Sequence, residues 1–216
     1  MDFELSDDLK ALQDLARRFA AEHVAPGARK WDREADIPRD LVAKLAELGF
    51  LGIFIPTEYG GVGLGDLGAS VIMEEIARHC GATALMLDAH NALCSAHLIR
   101  AADAEQKAKY LTKLAAGEYL GAWALSEPGC GSDAAALTTT ATLEGDAWVL
   151  NGAKQWITNG HYAGVYVVMA RTKPEGGAKG ISAFIVERGT PGLIIGPKED
   201  KMGMRGSDTV GLTFDN

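Results

Sequence analysis

The sequence predicts a two-part α+β chain, with an all-helical domain over 1–118 followed by an antiparallel β-barrel or sandwich domain over 119–216. Three observations carry that reading. Apolar residues recur at three- and four-residue steps through the first half. After residue 118 the period shortens to two and turn residues crowd in. No helical pattern separates the short strands of the second half, which argues against a parallel βαβ sheet.

The first helix is marked by Leu5, Leu9, Leu12, Leu15 and Phe19 on one face. Ser6 is a natural N-cap, and Asp7 and Asp8 fall in the first turn, where the helix dipole favours negative charge. Pro38 opens a second helix with Leu41, Leu45 and Leu48 on one face and Gly49 as its stop. A third, over 67–79, follows the loop Tyr59-Gly60-Gly61-Val62-Gly63. A fourth, over 84–102, is apolar on most sides and therefore central. The fifth opens on Asp103-Ala104-Glu105-Gln106, a capping-box spacing, and runs to Gly117.

In the second half, 138–143 and 147–150 flank Glu144-Gly145-Asp146 and read as a hairpin. Asn151-Gly152 marks a further turn. The β-branched runs 165–171 and 181–187 flank a Lys- and Gly-rich loop, and Leu193-Ile194-Ile195 follows Pro191-Gly192. The last residues, Gly211-Leu212-Thr213-Phe214-Asp215-Asn216, form a strand with no turn or polar tail after it, so a chain truncated near the end of this domain is expected.

Composition bounds the function. The net charge is −8 over 216 residues, which disfavours nucleic acid, because phosphate binding requires a surplus of Lys and Arg. Cys80, Cys94 and Cys130 match neither a metal pattern nor a disulfide framework, and the five histidines show no metal-ligand spacing. The opening Met1-Asp2-Phe3-Glu4 is acidic and no apolar run follows, so neither a secretory signal nor a membrane span is expected; the reading is a cytoplasmic protein with small-molecule or protein partners.

Two segments carry chemistry. In Ala124-Leu125-Ser126-Glu127-Pro128-Gly129-Cys130-Gly131-Ser132-Asp133 an apolar strand runs into a hydroxyl, a carboxylate and a turn with two glycines. Ser132 and neighbouring N–H groups there suit an anion, although such a composition is also that of an ordinary turn. The spacing matches neither GxGxxG nor the GxxxxGK[ST] phosphate loop. In Asn151-Gly152-Ala153-Lys154-Gln155-Trp156-Ile157-Thr158, Trp and Thr stand two apart on one strand face, suited to flank a flat heterocycle; a core Trp beside a surface Thr is the plainer alternative.

The run ALSEPGCGSDAAA, followed by LNGAKQWITNG and then KMGMRGSDT, resembles the acyl-CoA dehydrogenase family. IPTEYGGVGLG and the stretch from HNAL to EQKAKYL fit it too. The resemblance spans the whole chain, and the wording is nearest the short-chain, butyryl-type branch. It implies FAD as cofactor, an acyl-CoA thioester as substrate, and electron-transfer flavoprotein as the acceptor of electrons from α,β-dehydrogenation.

Position by position, the resemblance puts Trp123, Ala124, Leu125 and Ser126 against the flavin ring. Gly131 and Ser132 fall at the FAD pyrophosphate, with Ser132 also touching the substrate's pantetheine arm. Trp156, Ile157 and Thr158 fall on the other side of the isoalloxazine. Trp123 departs from the Tyr or Phe common there. Glu127 and Asp133 are read as shaping the turn rather than acting on substrate. The catalytic Glu belongs to a C-terminal four-helix-bundle domain that this chain lacks, and no residue here aligns with it. That domain also carries most contacts of the family's homotetramer.

Met86, Asp88 and Asn91 are candidates for limiting acyl-chain length, against simple core packing with a polar edge. Lys173 and Lys179 are candidates for the CoA phosphate, against plain surface solvation. An acyl-CoA oxidase or flavin monooxygenase on the same fold, and an inactive chain dependent on a partner, are the competing readings.

Overall fold

The computed structural model describes residues 4–216, so the reading of Met1-Asp2-Phe3 lies outside the described residues. The chain forms two compact units. The helical one extends to Glu118 and also takes in Asp200–Ser207; the other comprises Tyr119–Glu199 and Asp208–Asn216.

In the helical unit, α1 (Asp7–Phe19) begins where the Ser6 hydroxyl accepts from the Leu9 N–H at 3.3 Å. It passes into a π-helical turn, Ala20–Val24. A short α2 (Ala28–Glu34), not foreseen from the periodicity, is anchored by the buried Trp31. Next, α3 (Arg39–Glu47) follows Pro38 and stops before Gly49, whose φ of +74° glycine tolerates without strain. α4 (Gly65–Ala77) packs on α1, where the Arg17 guanidinium meets the buried Glu75 carboxylate at 2.9 and 3.3 Å.

The expected fourth helix is three segments: α5 (Gly81–Asp88), a π-helical stretch Ala89–Ser95 and α6 (Ala96–Ala101). Within the π stretch, His90 and Asn91 are fully buried and bond the chain at 50–53, so the irregular turn lies where the helix serves an adjacent loop. α7 (Ala104–Ala115) starts with a complete capping box between Asp103 and Gln106. Asp200–Ser207 joins this unit through Arg205. Its backbone N–H donates to the Asp32 carboxylate at 3.0 Å, its guanidinium pairs with the same carboxylate, and its Nε bonds the Asp32 carbonyl.

The second unit is a seven-stranded sheet. Its strands are β1 (Leu120–Ala124), β2 (Thr140–Glu144), β3 (Ala147–Thr158), β4 (Ala163–Arg171), β5 (Ile181–Glu187), β6 (Leu193–Lys198) and β7 (Thr209–Asp215). The order is β1-β4-β2-β3-β7-β6, with β5 also on β4. The β2–β3 hairpin pairs Thr140 with Asn151 and Glu144 with Ala147.

Two expectations change. The sheet is mixed rather than purely antiparallel, because β1 runs parallel to β4 with Gly121 opposite Val165; the long excursion between them permits a crossover that no hairpin allows. Asn151-Gly152 is no turn, since β3 runs straight through it. Gly152 has φ +147°, and a Cβ there would sit 2.6 Å from the Thr139 hydroxyl, so glycine serves close approach of Thr139. Ala122, Ala124, Ile157, Tyr166, Val168 and Phe214 build the core of this unit.

Candidate functional site

At the end of β1 the chain leaves the sheet at Leu125 and Ser126, and doubles back over Glu127-Pro128-Gly129-Cys130. The turn is closed by two backbone bonds between Glu127 and Cys130, of 2.8 and 3.1 Å. Pro128 presets one φ of such a turn, and the next residue is Gly129. Gly131, Ser132 and Asp133 follow, all exposed. A Cβ added at Gly129 or Gly131 would meet nothing within 4 Å. The space beside this backbone is open to a ligand.

The Glu127 carboxylate organises the turn from beneath. It accepts from the Thr138 N–H at 2.6 Å, the Thr138 hydroxyl at 2.8 Å, the Thr139 N–H at 2.9 Å and the Lys154 ammonium at 2.8 Å. Burial alone would raise its pKa. The bonds from Lys154, Thr139 and Thr138 outweigh that and hold it at about 2. Burial lowers the Lys154 ammonium, opposed by the bond and charge of Glu127. A carboxylate with both oxygens occupied and so acidic is a poor proton acceptor at neutral pH.

Opposite the turn, β3 bears a bulge between Lys154 and Ile157. Trp156 sits in it at φ +63°, a left-handed conformation unusual for a bulky residue, and its side chain is 56% exposed. Asn159 follows at φ +66° and donates to the Gly121 carbonyl at 3.1 Å. The bulge breaks the alternation expected of Trp156 and Thr158. Segment and turn meet directly, because the Gln155 N–H donates to the Ser126 carbonyl at 2.8 Å and Lys154 Nζ to the Leu125 carbonyl at 3.1 Å.

The residues named from sequence therefore divide. Ala124 and Ile157 are buried in the core, at 0% and 2% exposure, and form the floor behind the other named residues rather than an open surface. Leu125, Ser126 and Thr158 are half-buried, and Trp156, Gly131 and Ser132 are exposed. Trp123 is half-buried, yet its indole Nε1 is shielded from solvent and has no hydrogen-bond partner. Among the described residues, no side-chain hydrogen bond engages the hydroxyls of Ser126, Ser132 or Thr158. Three free hydroxyls, an unbonded indole N–H and an exposed aromatic plane are a donor set suited to a phosphate-bearing heterocycle such as FAD.

Of the other candidates, Asn91 is 0% exposed with both side-chain ends bonded to backbone, and Met86 is buried, which matches packing rather than an open pocket wall. Lys173 and Lys179 are both exposed. Sequence reading missed Lys154, whose only signal was a lysine within an apolar-patterned strand. It also missed Arg171, which bonds the carbonyls of Ala135, Leu137 and Gly177 and so secures the far end of the turn. No group of three His, Cys, Asp or Glu suited to a metal occurs among the described residues.

A helical unit followed by a sheet whose turn and bulge present this donor set suits the class of flavin-binding proteins. Residues 6–118 match the family model "Acyl-CoA dehydrogenase, N-terminal domain", and 122–216 match "Acyl-CoA dehydrogenase, middle domain". The chain belongs to the acyl-CoA dehydrogenase family. It is 44% identical over 213 residues to the mitochondrial short-chain specific acyl-CoA dehydrogenase of Mus musculus, covering 99% of this chain and 52% of that one.

Among solved structures, butyryl-CoA dehydrogenase from Megasphaera elsdenii superposes with a TM-score of 0.93 at 39% identity, over 99% of this chain and 57% of that one. An acyl-CoA dehydrogenase complexed with FAD from Bacillus anthracis gives 0.89 at 36% identity, over 98% and 36%. The chain thus spans about half the length of the short-chain relatives it matches.

Proposed function

We propose that this chain is the cofactor-cradling part of an FAD-dependent acyl-CoA dehydrogenase, which removes hydrogens from the α and β carbons of an acyl-CoA thioester and delivers the electrons to electron-transfer flavoprotein. One observation supports the reading: the 2.8 Å bond from Gln155 N–H to the Ser126 carbonyl joins the Ser126–Ser132 turn to the Trp156–Thr158 segment, each of which carries a hydroxyl not engaged by another side chain.

In this reading Trp123 and Trp156 pack against the flavin. The backbone of Leu125 and the hydroxyls of Ser126 and Thr158 bond its polar edge, with Ala124 and Ile157 as the packed floor behind them. Gly131 and Ser132 hold the pyrophosphate, Ser132 also meeting the pantetheine arm. FAD supplies the redox capacity that protein side chains lack. Glu127 is not the base that takes the α-proton, since it is ionised at about pKa 2 and bonded at both oxygens. That carboxylate comes from outside this chain, from a C-terminal helical domain. The whole enzyme is a homotetramer working in the cytoplasm; among the described residues no helix is long and apolar enough to cross a membrane.

Titrating the chain with FAD and following flavin fluorescence tests the cradle, with weak but saturable binding expected. The same sample given butyryl-CoA and an artificial electron acceptor is expected to show no turnover. Turnover would place the base within these 216 residues and refute the division of labour.

A further inference from the structure

Lys154 and Glu127 are both inside the β-unit, at 2% and 6% exposure. A buried ion pair is a costly way to stabilise a fold, since an apolar pair of similar volume often does as well. Its position suggests another purpose. Glu127 belongs to the turn and Lys154 to β3, the residue from which the bulge springs. Through its two oxygens Glu127 bonds the N–H groups of Thr138 and Thr139 at the far end of the turn, and Lys154 Nζ also bonds the Leu125 carbonyl at its near end. Both ends of the turn and the root of the bulge therefore converge on one charge pair.

What the pair holds is a strained element. Trp156 at φ +63° is a conformation that bulky residues leave unless their surroundings enforce it. Its indole is exposed, so side-chain packing does not enforce it. The neighbouring restraints are the Lys154–Glu127 pair and the Gln155–Ser126 backbone bond.

We propose that Glu127 and Lys154 are positioning residues, a buried latch that couples the Ser126–Ser132 turn to the Trp156 bulge and keeps the two segments in one fixed arrangement before any cofactor binds. The inference rests on the flavin reading for its purpose, but the coupling itself is a property of the chain alone.

The test uses Lys154→Met, Glu127→Gln and the combined Glu127→Gln/Lys154→Met, the last leaving no unpaired buried charge should a single variant fold poorly. Amide hydrogen exchange is read at Gln155, Thr138 and Thr139, with Val167 in β4 as reference, and FAD affinity is measured by fluorescence titration. A latch predicts exchange at the three amides accelerated at least about tenfold more than at Val167, together with an FAD Kd weakened about tenfold or more. Acceleration spread evenly over all four amides, or an unchanged Kd in folded variants, would overturn the proposal by making the pair a general stabiliser. If the wild-type chain binds no FAD, the flavin reading fails, and the exchange pattern still decides the coupling.

Discussion

The side-chain amide of Asn91 stands in for a missing strand partner of Ile53: its Oδ1 accepts the Ile53 N–H at 3.0 Å while Nδ2 donates to the Phe50 carbonyl at 3.0 Å and the Leu87 carbonyl at 3.1 Å. All of this is out of water. Asn91→Ala orphans the Ile53 N–H and the Phe50 carbonyl, at roughly 1–3 kcal/mol for each buried unsatisfied group. Urea denaturation is expected to show a loss of about 2–6 kcal/mol. A role in setting acyl-chain length would instead leave stability intact and change substrate preference in the complete enzyme.

His90 makes the helical unit sensitive to acid. Burial lowers its pKa from 6.5 to about 4, opposed by its bond to the Leu51 carbonyl at 2.8 Å. Nε2 must carry the proton in that bond. The unfolded chain therefore binds more protons than the folded one between about pH 6.5 and 4. This stability is fully present above 6.5 and is lost as the pH falls toward 4, by about 3 kcal/mol in total for a shift of this size. Unfolding free energies at pH 7 and 5 are expected to differ less in His90→Gln than in wild type.

Trp156→Gly exchanges function for stability. Glycine removes a left-handed strain of about 1–2 kcal/mol, partly offset by about 0.5–1 kcal/mol of extra unfolded freedom. The urea midpoint is expected to rise slightly while FAD affinity falls. A fall in both would mean that the indole packs within the chain rather than against the cofactor.

Asp103→Ala removes the carboxylate half of the capping box at the start of α7, where the Asp103 carboxylate accepts from the Gln106 N–H at 2.8 Å, while the backbone N–H that donates to the Gln106 amide oxygen at 3.1 Å is retained. A loss of about 1 kcal/mol is expected by urea denaturation. Asp103→Asn, which still caps, is expected to lose much less.

The sequence by itself determined what neighbours along the chain decide. Ser6 caps α1, Asp103 and Gln106 box α7, and Gly145 turns the β2–β3 hairpin, because each acts within a few residues. The Ser126–Ser132 and Trp156–Thr158 segments stood out through their order and wording along the chain, since the composition of the first is also that of an ordinary turn. Tertiary structure decided the rest. Lys154 finds Glu127 27 positions away, Arg205 finds Asp32 173 positions away, and β1 lies parallel to β4 across the whole hairpin between them. Periodicity reads a lysine in a strand as solvent-facing and an Asn-Gly as a turn. A buried carboxylate and a close-passing threonine overrule both, since an unpaired buried charge or a steric overlap outweighs the small preferences that a local pattern expresses.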